Sequence, residues 1–206
     1  MKVLLINGSP HEKGCTYTAL FLIAGELKAQ GIETEILHVG GQPVGGCIGC
    51  GGCRSGNGCV FGGVVNEAIE KAKTADAFVF GSPVHYASAA GNMASFMDRL
   101  AYAGGKYLAY KPAAICCSAR RAGTTSTLDQ LVKYPQFFHM PLVNGSYWAM
   151  VHGSNPEQVL QDAEGCAVMQ ELGRNMAWLL RCIEAGKAAG IDHPQNPPRP
   201  MTNFIR

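Results

Sequence analysis

The sequence predicts a doubly wound α/β fold, a five-stranded parallel sheet with helices on both faces. Three observations predict it. Short, continuous apolar runs recur along the chain, as strands covered on both faces require. Stretches with apolar residues at i, i+3 and i+4 separate them, so strand and helix alternate. No repeat or linker divides the chain, so residues 1–206 read as one domain, and 26 glycines supply tight loops.

Val3-Leu4-Leu5-Ile6 is the first strand. Leu20, Ile23, Ala24 and Leu27 mark the first helix, beginning near Thr16 and closed by Gly31. Ile32 to Val39 reads as the second strand, followed by a cysteine loop over 47–59. Val65, Ala68, Ile69 and Ala72 give the next helical stripe. Ala77-Phe78-Val79-Phe80 is the third strand, ending at Gly81-Ser82-Pro83. Met93, Phe96, Met97 and Leu100 repeat the helical spacing. Ala113 to Cys117 is the fourth strand, Thr125 to Tyr134 a short helix, and Leu142-Val143 the start of the fifth strand. Val168, Leu172, Met176, Leu179 and Ile183 predict a long last helix stopped by Gly186. From His193 the prolines exclude helix, and 193–206 reads as an extended tail over the surface or a partner subunit.

Composition sets bounds. Hydrophobic residues make up 47% and charged residues 16%, which excludes a disordered chain. The net charge of +2 is uninformative about nucleic acid, but no basic block or stripe appears, so no nucleic-acid partner is expected, and no apolar run reaches the ~20 residues that cross a bilayer. The first apolar run is too short for a signal peptide. Nine cysteines without an export signal predict a reducing, cytoplasmic setting and metal or redox chemistry rather than disulfides.

In such sheets ligands bind beyond the carboxyl ends of the strands, where strand order reverses. After the first strand comes Asn7-Gly8-Ser9-Pro10-His11-Glu12-Lys13-Gly14-Cys15-Thr16. It carries neither the G-x-G-x-x-G fingerprint nor a Walker A loop. What remains is a cradle for one terminal phosphate, made of backbone N–H groups, the Ser9 and Thr16 hydroxyls and the positive end of a helix. Two more polar, small-residue loops follow the third and fourth strands: Ser82-Pro83-Val84-His85-Tyr86-Ala87-Ser88 and Ser118-Ala119-Arg120-Arg121-Ala122-Gly123-Thr124.

The cysteine loop reads Cys47-Ile-Gly-Cys50-Gly-Gly-Cys53, then Cys59 after five residues. Two-residue gaps let thiolates converge, and the glycines let the backbone fold tightly enough. Zinc motifs usually split their ligands into two separated pairs. Three ligands at two-residue intervals with a fourth close behind favour a [4Fe-4S] cluster. The alternative is reduced thiols that hold nothing.

Gly8-Ser9-Pro10, Ser82-Pro83-Val84 with downstream Phe96-x-Asp98-Arg99, and the four cysteines together resemble the iron–sulfur flavoprotein group of the flavodoxin-like NAD(P)H-dependent FMN reductase superfamily. The resemblance covers essentially the whole chain. It implies a flavodoxin-like sheet and FMN phosphate binding by Ser9, His11, Lys13, Cys15 and Thr16. The flavin ring would lie between Pro83, Val84, His85 and Tyr86 on one side and Ser118, Ala119, Arg120, Arg121, Gly123 and Thr124 on the other. It also implies [4Fe-4S] ligation by Cys47, Cys50, Cys53 and Cys59. The chain departs from the family in three places. Cys15 stands where Asn is frequent, His85 where an aromatic is common, and Val60-Phe61-Gly62-Gly63 where an acidic pair often follows the last cysteine.

The implied activity is that of an FMN-dependent oxidoreductase. It would pass electrons between NADH, NADPH or a ferredoxin-type carrier and a small acceptor such as a quinone, an oxygen species or an unsaturated organic molecule. Chemistry would reside on the flavin, with no protein acid or base. A homodimer or homotetramer follows from the family's placement of one subunit's cluster near its neighbour's FMN. Two other readings stand: a cluster-free NAD(P)H-dependent flavin or quinone reductase, and a flavodoxin-like carrier. Near-neutral charge counts against the carrier, because carriers steer to partners by strong charge. Arg120 and Arg121 are the cations placed to favour an anionic reduced flavin. Cys116, Cys117, Cys166 and Cys182 read as packing residues, His38, His139 and His152 as non-ligands, and Asp98–Arg99 as a helix-end ion pair.

Overall fold

The computed structural model describes residues 1–198 and 200–202. In chain order it contains β1 (Lys2–Asn7), α1 (Cys15–Ala29), β2 (Glu33–His38), a 3₁₀ turn (Gly52–Ser55), α2 (Val64–Thr74), β3 (Ala77–His85), β4 (Ser88–Ala89) and α3 (Gly91–Gly104). There follow β5 (Ala113–Ala119), α4 (Thr124–Phe137), β6 (Met150–His152), a single turn α5 (Pro156–Val159) and α6 (Ala163–Ala188). Five strands pair in parallel in the order β2-β1-β3-β5-β6, and β4 pairs antiparallel with β3. Strand order reverses at β1, so the carboxyl ends of β1 and β3 flank the switch point.

Period-two alternation splits the strand side chains between two layers. Val3, Leu5, Val79, Ala114 and Cys116 pack under α1 and α6 with Leu20, Ile23, Leu172 and Met176. Leu4, Ile6, Phe78, Phe80 and Ile115 pack on the other face with Ala68, Ile69, Met93, Phe96 and Leu131. The expected doubly wound sheet is therefore present. Gly31, at φ 75°, closes α1 as predicted.

Three elements differ from expectation. The third strand does not end at Pro83 but runs to His85 and turns back into β4. The fifth strand does not form continuously from Leu142. Leu142 makes an isolated bridge to Ala113, and Met150 pairs with Cys117, so twice as many residues separate the two pairings on this side as on β5. The surplus loops out, carrying Tyr147 and Trp148 edge-to-face at 4.6 Å over a cavity of about 420 Å³ beside α4. The last helix passes through Gly186 to Ala188, and the left-handed residue that ends it is Gly190, φ 80°. Leu180, not Leu179, sits in its buried stripe.

The tail carries neither helix nor strand where it is described, and residues 199 and 203–206 of it lie outside the described residues. The His193 ring stacks on Tyr110 at 4.4 Å and the Asn196 amide donates to the Tyr110 hydroxyl. Among the described residues no helix is long and apolar enough to cross a membrane.

Gly25 sits exposed in the middle of α1, where a Cβ would meet nothing within 4 Å. Gly25→Ala is expected to stabilise the fold by about 0.5–1 kcal/mol, since glycine loses the most backbone freedom in a helix. A melting curve should show a rise of roughly 1–4 °C.

Candidate functional site

The loop between β1 and α1 is held in shape by its own polar groups. The Asn7 side chain accepts from Ser9 N–H at 3.1 Å and donates to Glu12 O at 2.9 Å, and Ser9 Oγ accepts from His11 N–H at 3.1 Å. Ser9 is buried, while His11 and Lys13 are exposed on the loop's outer side. No side chain caps α1 at Gly14, so its first backbone N–H groups open toward the loop. From behind, the His38 ring nitrogen bonds Ser9 O at 2.8 Å, and Gly40 packs on the same carbonyl. Asn92 on α3 ties down the next turn by bonding Gly40 O, Gln42 O and Val44 N–H.

The structure brings the three expected loops to one edge. Asn7 pairs with Gly81 and Pro83 with Ser118, so the carboxyl ends of β1, β3 and β5 are adjacent. Thr16 is 1% exposed, and its hydroxyl shares a 2.8 Å hydrogen bond with that of Ser118. That bond spans the β1–α1 loop and the β5 loop. Cys15 turns its thiol toward Gly153 O at 3.5 Å, and burial pushes its pKa up. It is thus a neutral thiol at this edge, leaving its backbone N–H facing the loop.

The second wall is the β3–β4 hairpin. Its two turn residues, Tyr86 and Ala87, have φ of 49° and 59°, the left-handed pair that a two-residue hairpin needs, here without Gly or Asn. Non-glycine residues in that region carry strain. The hairpin is held by α4: Ser88 Oγ and Ala89 N–H donate to Gln130 Oε1, and Ser126 Oγ donates to Ala87 O. Gly123, at φ 94°, starts α4, and a Cβ there would lie 2.6 Å from Ala87 Cα, so only glycine lets the two loops touch. His85 and Tyr86 are exposed at the rim, and Arg120 and Arg121 are exposed opposite, with no carboxylate ion-paired to either among the described residues. Ala119 and Thr124 are buried beneath them.

The four loop cysteines line one cavity of about 300 Å³ with Val60, Phe61, Arg99 and Tyr102. Among the described residues, no three His, Cys, Asp or Glu side chains gather to hold a metal ion. The expected convergence on one centre is thus only partly met: the thiols surround a common space without meeting at a point. A mononuclear zinc site draws four sulfurs to ≈ 2.3 Å of one ion, whereas a multi-iron cluster takes its thiolates at separate corners. Left-handed glycines at 49, 51, 56 and 58 fold the loop. Of the four, only Cys59 is hydrogen-bonded to a helix among the described residues, with its N–H and carbonyl both bonded to the Asn66 amide and its sulfur accepting from Arg99 Nε at 3.2 Å.

Asp98 and Arg99 do not form the expected ion pair. Asp98 accepts from the Tyr134 hydroxyl at 2.6 Å, and Arg99 points the other way, into the cysteine loop. Cys116 and Cys117 are buried as predicted, and burial pushes both thiols up, Cys117 to about 12. Cys182 is exposed rather than packed. Sequence reading named His38 only as a non-ligand and did not find Gly40, Asn92 or Gln130. Each supports a loop from a distant element, and no local pattern marks that.

A family model described as NADPH-dependent FMN reductase matches residues 1–155. The chain belongs to that family. It is 27% identical over 192 residues to an iron–sulfur flavoprotein of Methanocaldococcus jannaschii, covering 89% of this chain and 100% of that one. A Methanosarcina thermophila iron–sulfur flavoprotein is 24% identical over 193 residues, covering 91% and 99%. Among solved structures, RosB with bound 8-demethyl-8-formylriboflavin-5′-phosphate superposes with a TM-score of 0.71 at 14% identity, over 100% of this chain and 96% of that one. An NADH:FMN oxidoreductase in its apo form gives 0.64 at 16%, over 86% and 89%. The chain is an FMN-dependent oxidoreductase of flavodoxin-like fold.

Thr16→Val tests the bond across the site. It removes the hydroxyl expected to donate to the FMN phosphate, leaving that oxygen unpaired at a cost of about 1–3 kcal/mol, and it also leaves the buried Ser118 hydroxyl without its partner. FMN affinity is expected to fall by roughly 5- to 150-fold. Pairing it with Ser118→Ala should restore part of the loss, because the orphaned hydroxyl is then gone. Full additivity would place the two hydroxyls in separate roles.

Proposed function

We propose that this chain binds one FMN at the carboxyl ends of β1, β3 and β5 and one [4Fe-4S] cluster on Cys47, Cys50, Cys53 and Cys59. It would move electrons between a donor, either NAD(P)H or a ferredoxin-type carrier, and a quinone, oxygen species or small organic acceptor. The phosphate falls to Ser9, His11, Lys13, Thr16 and the Cys15 N–H. Pro83, Val84, His85 and Tyr86 form one wall of the flavin site, and Ser118, Ala119, Arg120, Arg121, Gly123 and Thr124 form the other. FMN supplies two-electron chemistry that can be released singly, and a cluster supplies one-electron transfer. Residues 1–206 act as one unit in this reading, assembled as a homodimer or homotetramer. Phe21 and Trp178, both exposed on the outer α1 and α6 surfaces, support such an assembly.

The observation that carries the cluster is the cysteine cavity, in which four thiols and a buried guanidinium share one space. Donor set and charge both suit an anionic iron–sulfur unit. Anaerobic purification followed by flavin, iron and acid-labile sulfide analysis tests the reading. Four irons, four sulfides and one FMN per chain are expected. Zinc, or FMN without iron after anaerobic reconstitution, selects the cluster-free reductase. Steady-state turnover with NADH, NADPH and a reduced ferredoxin then identifies the donor, and no turnover with any of them selects the carrier.

A further inference from the structure

Arg99 lies on α3, a helix whose other buried residues are apolar or glycine, yet it is only 6% exposed. A buried charge is stable only when paired or fully hydrogen-bonded. Its three nitrogens reach three points of one loop: Nε donates to Cys59 Sγ at 3.2 Å, Nη2 to Gly62 O at 2.9 Å and Nη1 to Gly45 O at 3.4 Å. The Phe61 ring covers the guanidinium at 5.4 Å. Gly45 and Gly62 bracket all four cysteines, so this one side chain buckles the two ends of the segment together.

None of its partners carries a formal negative charge. The carboxylates of α2 and of α3 itself are engaged elsewhere: Asp98 with Tyr134, Glu67 with Lys71 and Glu70 with Lys73. Val60-Phe61-Gly62-Gly63 brings no acid. Arg54 lines the same cavity, but it is exposed, and water screens it. The positive charge buried beside the cysteines therefore comes from Arg99, and its missing counter-charge lies in the direction of Cys59.

We propose that Arg99 is the residue that sets the cluster's reduction potential, compensating the negative charge of the cysteine-bound [4Fe-4S] unit through its hydrogen bond to Cys59 sulfur. This rests on the cluster reading given above. When one electron enters from a reduced carrier, no bond breaks and no proton is required, so the site gains one negative charge. A buried cation and an N–H···S bond both favour that more negative state, and hydrogen bonding to sulfur and net charge are recognised levers on cluster potential. Arg99 makes the cluster easier to reduce without touching the flavin loops.

The test is a potentiometric titration of anaerobically reconstituted holoprotein, wild type against Arg99→Met and Arg99→Lys, with the cluster followed by its reduced EPR signal and FMN by absorbance. At a fixed applied potential, R99M should lower the reduced-to-oxidised cluster ratio at least tenfold, about 59 mV for a one-electron couple. R99K should recover part of that shift, and the FMN potential should stay in place in both. If R99M loses its cluster, R99K holding one within threefold of the wild-type ratio supports the proposal. R99K that also holds none overturns it. R99M with full iron and sulfide and an unmoved potential overturns it, as does R99K falling as low as R99M. Wild-type protein that takes up no iron overturns the underlying cluster reading, an outcome separate from a loaded cluster indifferent to Arg99.

Discussion

Replacing any one of Cys47, Cys50, Cys53 or Cys59 with Ser is expected to abolish or convert the cluster while FMN stays bound. A serine oxygen is a poor substitute for a soft thiolate, so iron per chain should fall below four and the cluster's visible absorption should collapse. The fold should survive. The cysteine loop contributes no strand, its 3₁₀ turn buries no residue, and Cys59 only packs at the margin of the core. Melting temperature measured without iron should therefore differ little from wild type at Cys47, Cys50 and Cys53. Cys59→Ser should cost more, because the Arg99 Nε–H loses its sulfur partner, while the Asn66 clasp, made to the Cys59 backbone, stays. Electron uptake from a reduced ferredoxin should drop at least tenfold, whereas slow reduction of the flavin by dithionite should persist. The idea fails if all four variants keep iron and sulfide at wild-type levels, or if ferredoxin reduces them as fast as it reduces the parent.

The same loop shows how far sequence reaches. Cysteine spacing and interleaved glycines announce a four-thiol loop without reference to any other element. They say nothing of Arg99 or Asn66, whose relation to Cys59 exists only after α2 and α3 have packed. Strand identity was legible because each central strand is apolar on both sides, whereas the order β2-β1-β3-β5-β6 is seen only in the folded sheet. The β3–β4 hairpin was not legible, since its left-handed turn is made by Tyr86 and Ala87 instead of the glycine or asparagine that would signal it. The fifth strand misled because Leu142-Val143 is a strand-like fragment, and the looped-out segment after it keeps aromatic residues that look like more strand. Gly186 misled in the opposite direction: an interior glycine weakens a helix by about 1 kcal/mol, and α6 continues through it to Ala188. At the flavin edge, the loops were visible as small polar runs following strands. The bond from Thr16 to Ser118 joins residues 102 positions apart and could not be.

Gly40→Ala is expected to damage FMN binding although it changes no side chain of the loop after β1. A Cβ at Gly40 would lie 2.2 Å from Ser9 O, 2.4 Å from Ser9 C and 2.5 Å from Gly8 O. All three are backbone atoms of the loop after β1, so no rotamer change relieves the clash and the loop itself must move. Ser9 O is also held by His38 at 2.8 Å, which resists the displacement. Overpacking of this kind costs about 1–3 kcal/mol. Where the strain falls on preorganised N–H groups, affinity should drop by at least about tenfold for each 1.4 kcal/mol taken from the bound state. Gly45 provides the control, because a Cβ there meets nothing within 4 Å and its φ is not left-handed. Gly45→Ala should therefore leave FMN affinity within about twofold. Fluorescence titration of apoprotein with FMN reads both variants, and riboflavin separates their causes. Riboflavin lacks the phosphate, so a displaced phosphate loop should weaken FMN far more than riboflavin. Equal losses for the two ligands would move the damage to the flavin walls and remove the phosphate from the loop after β1.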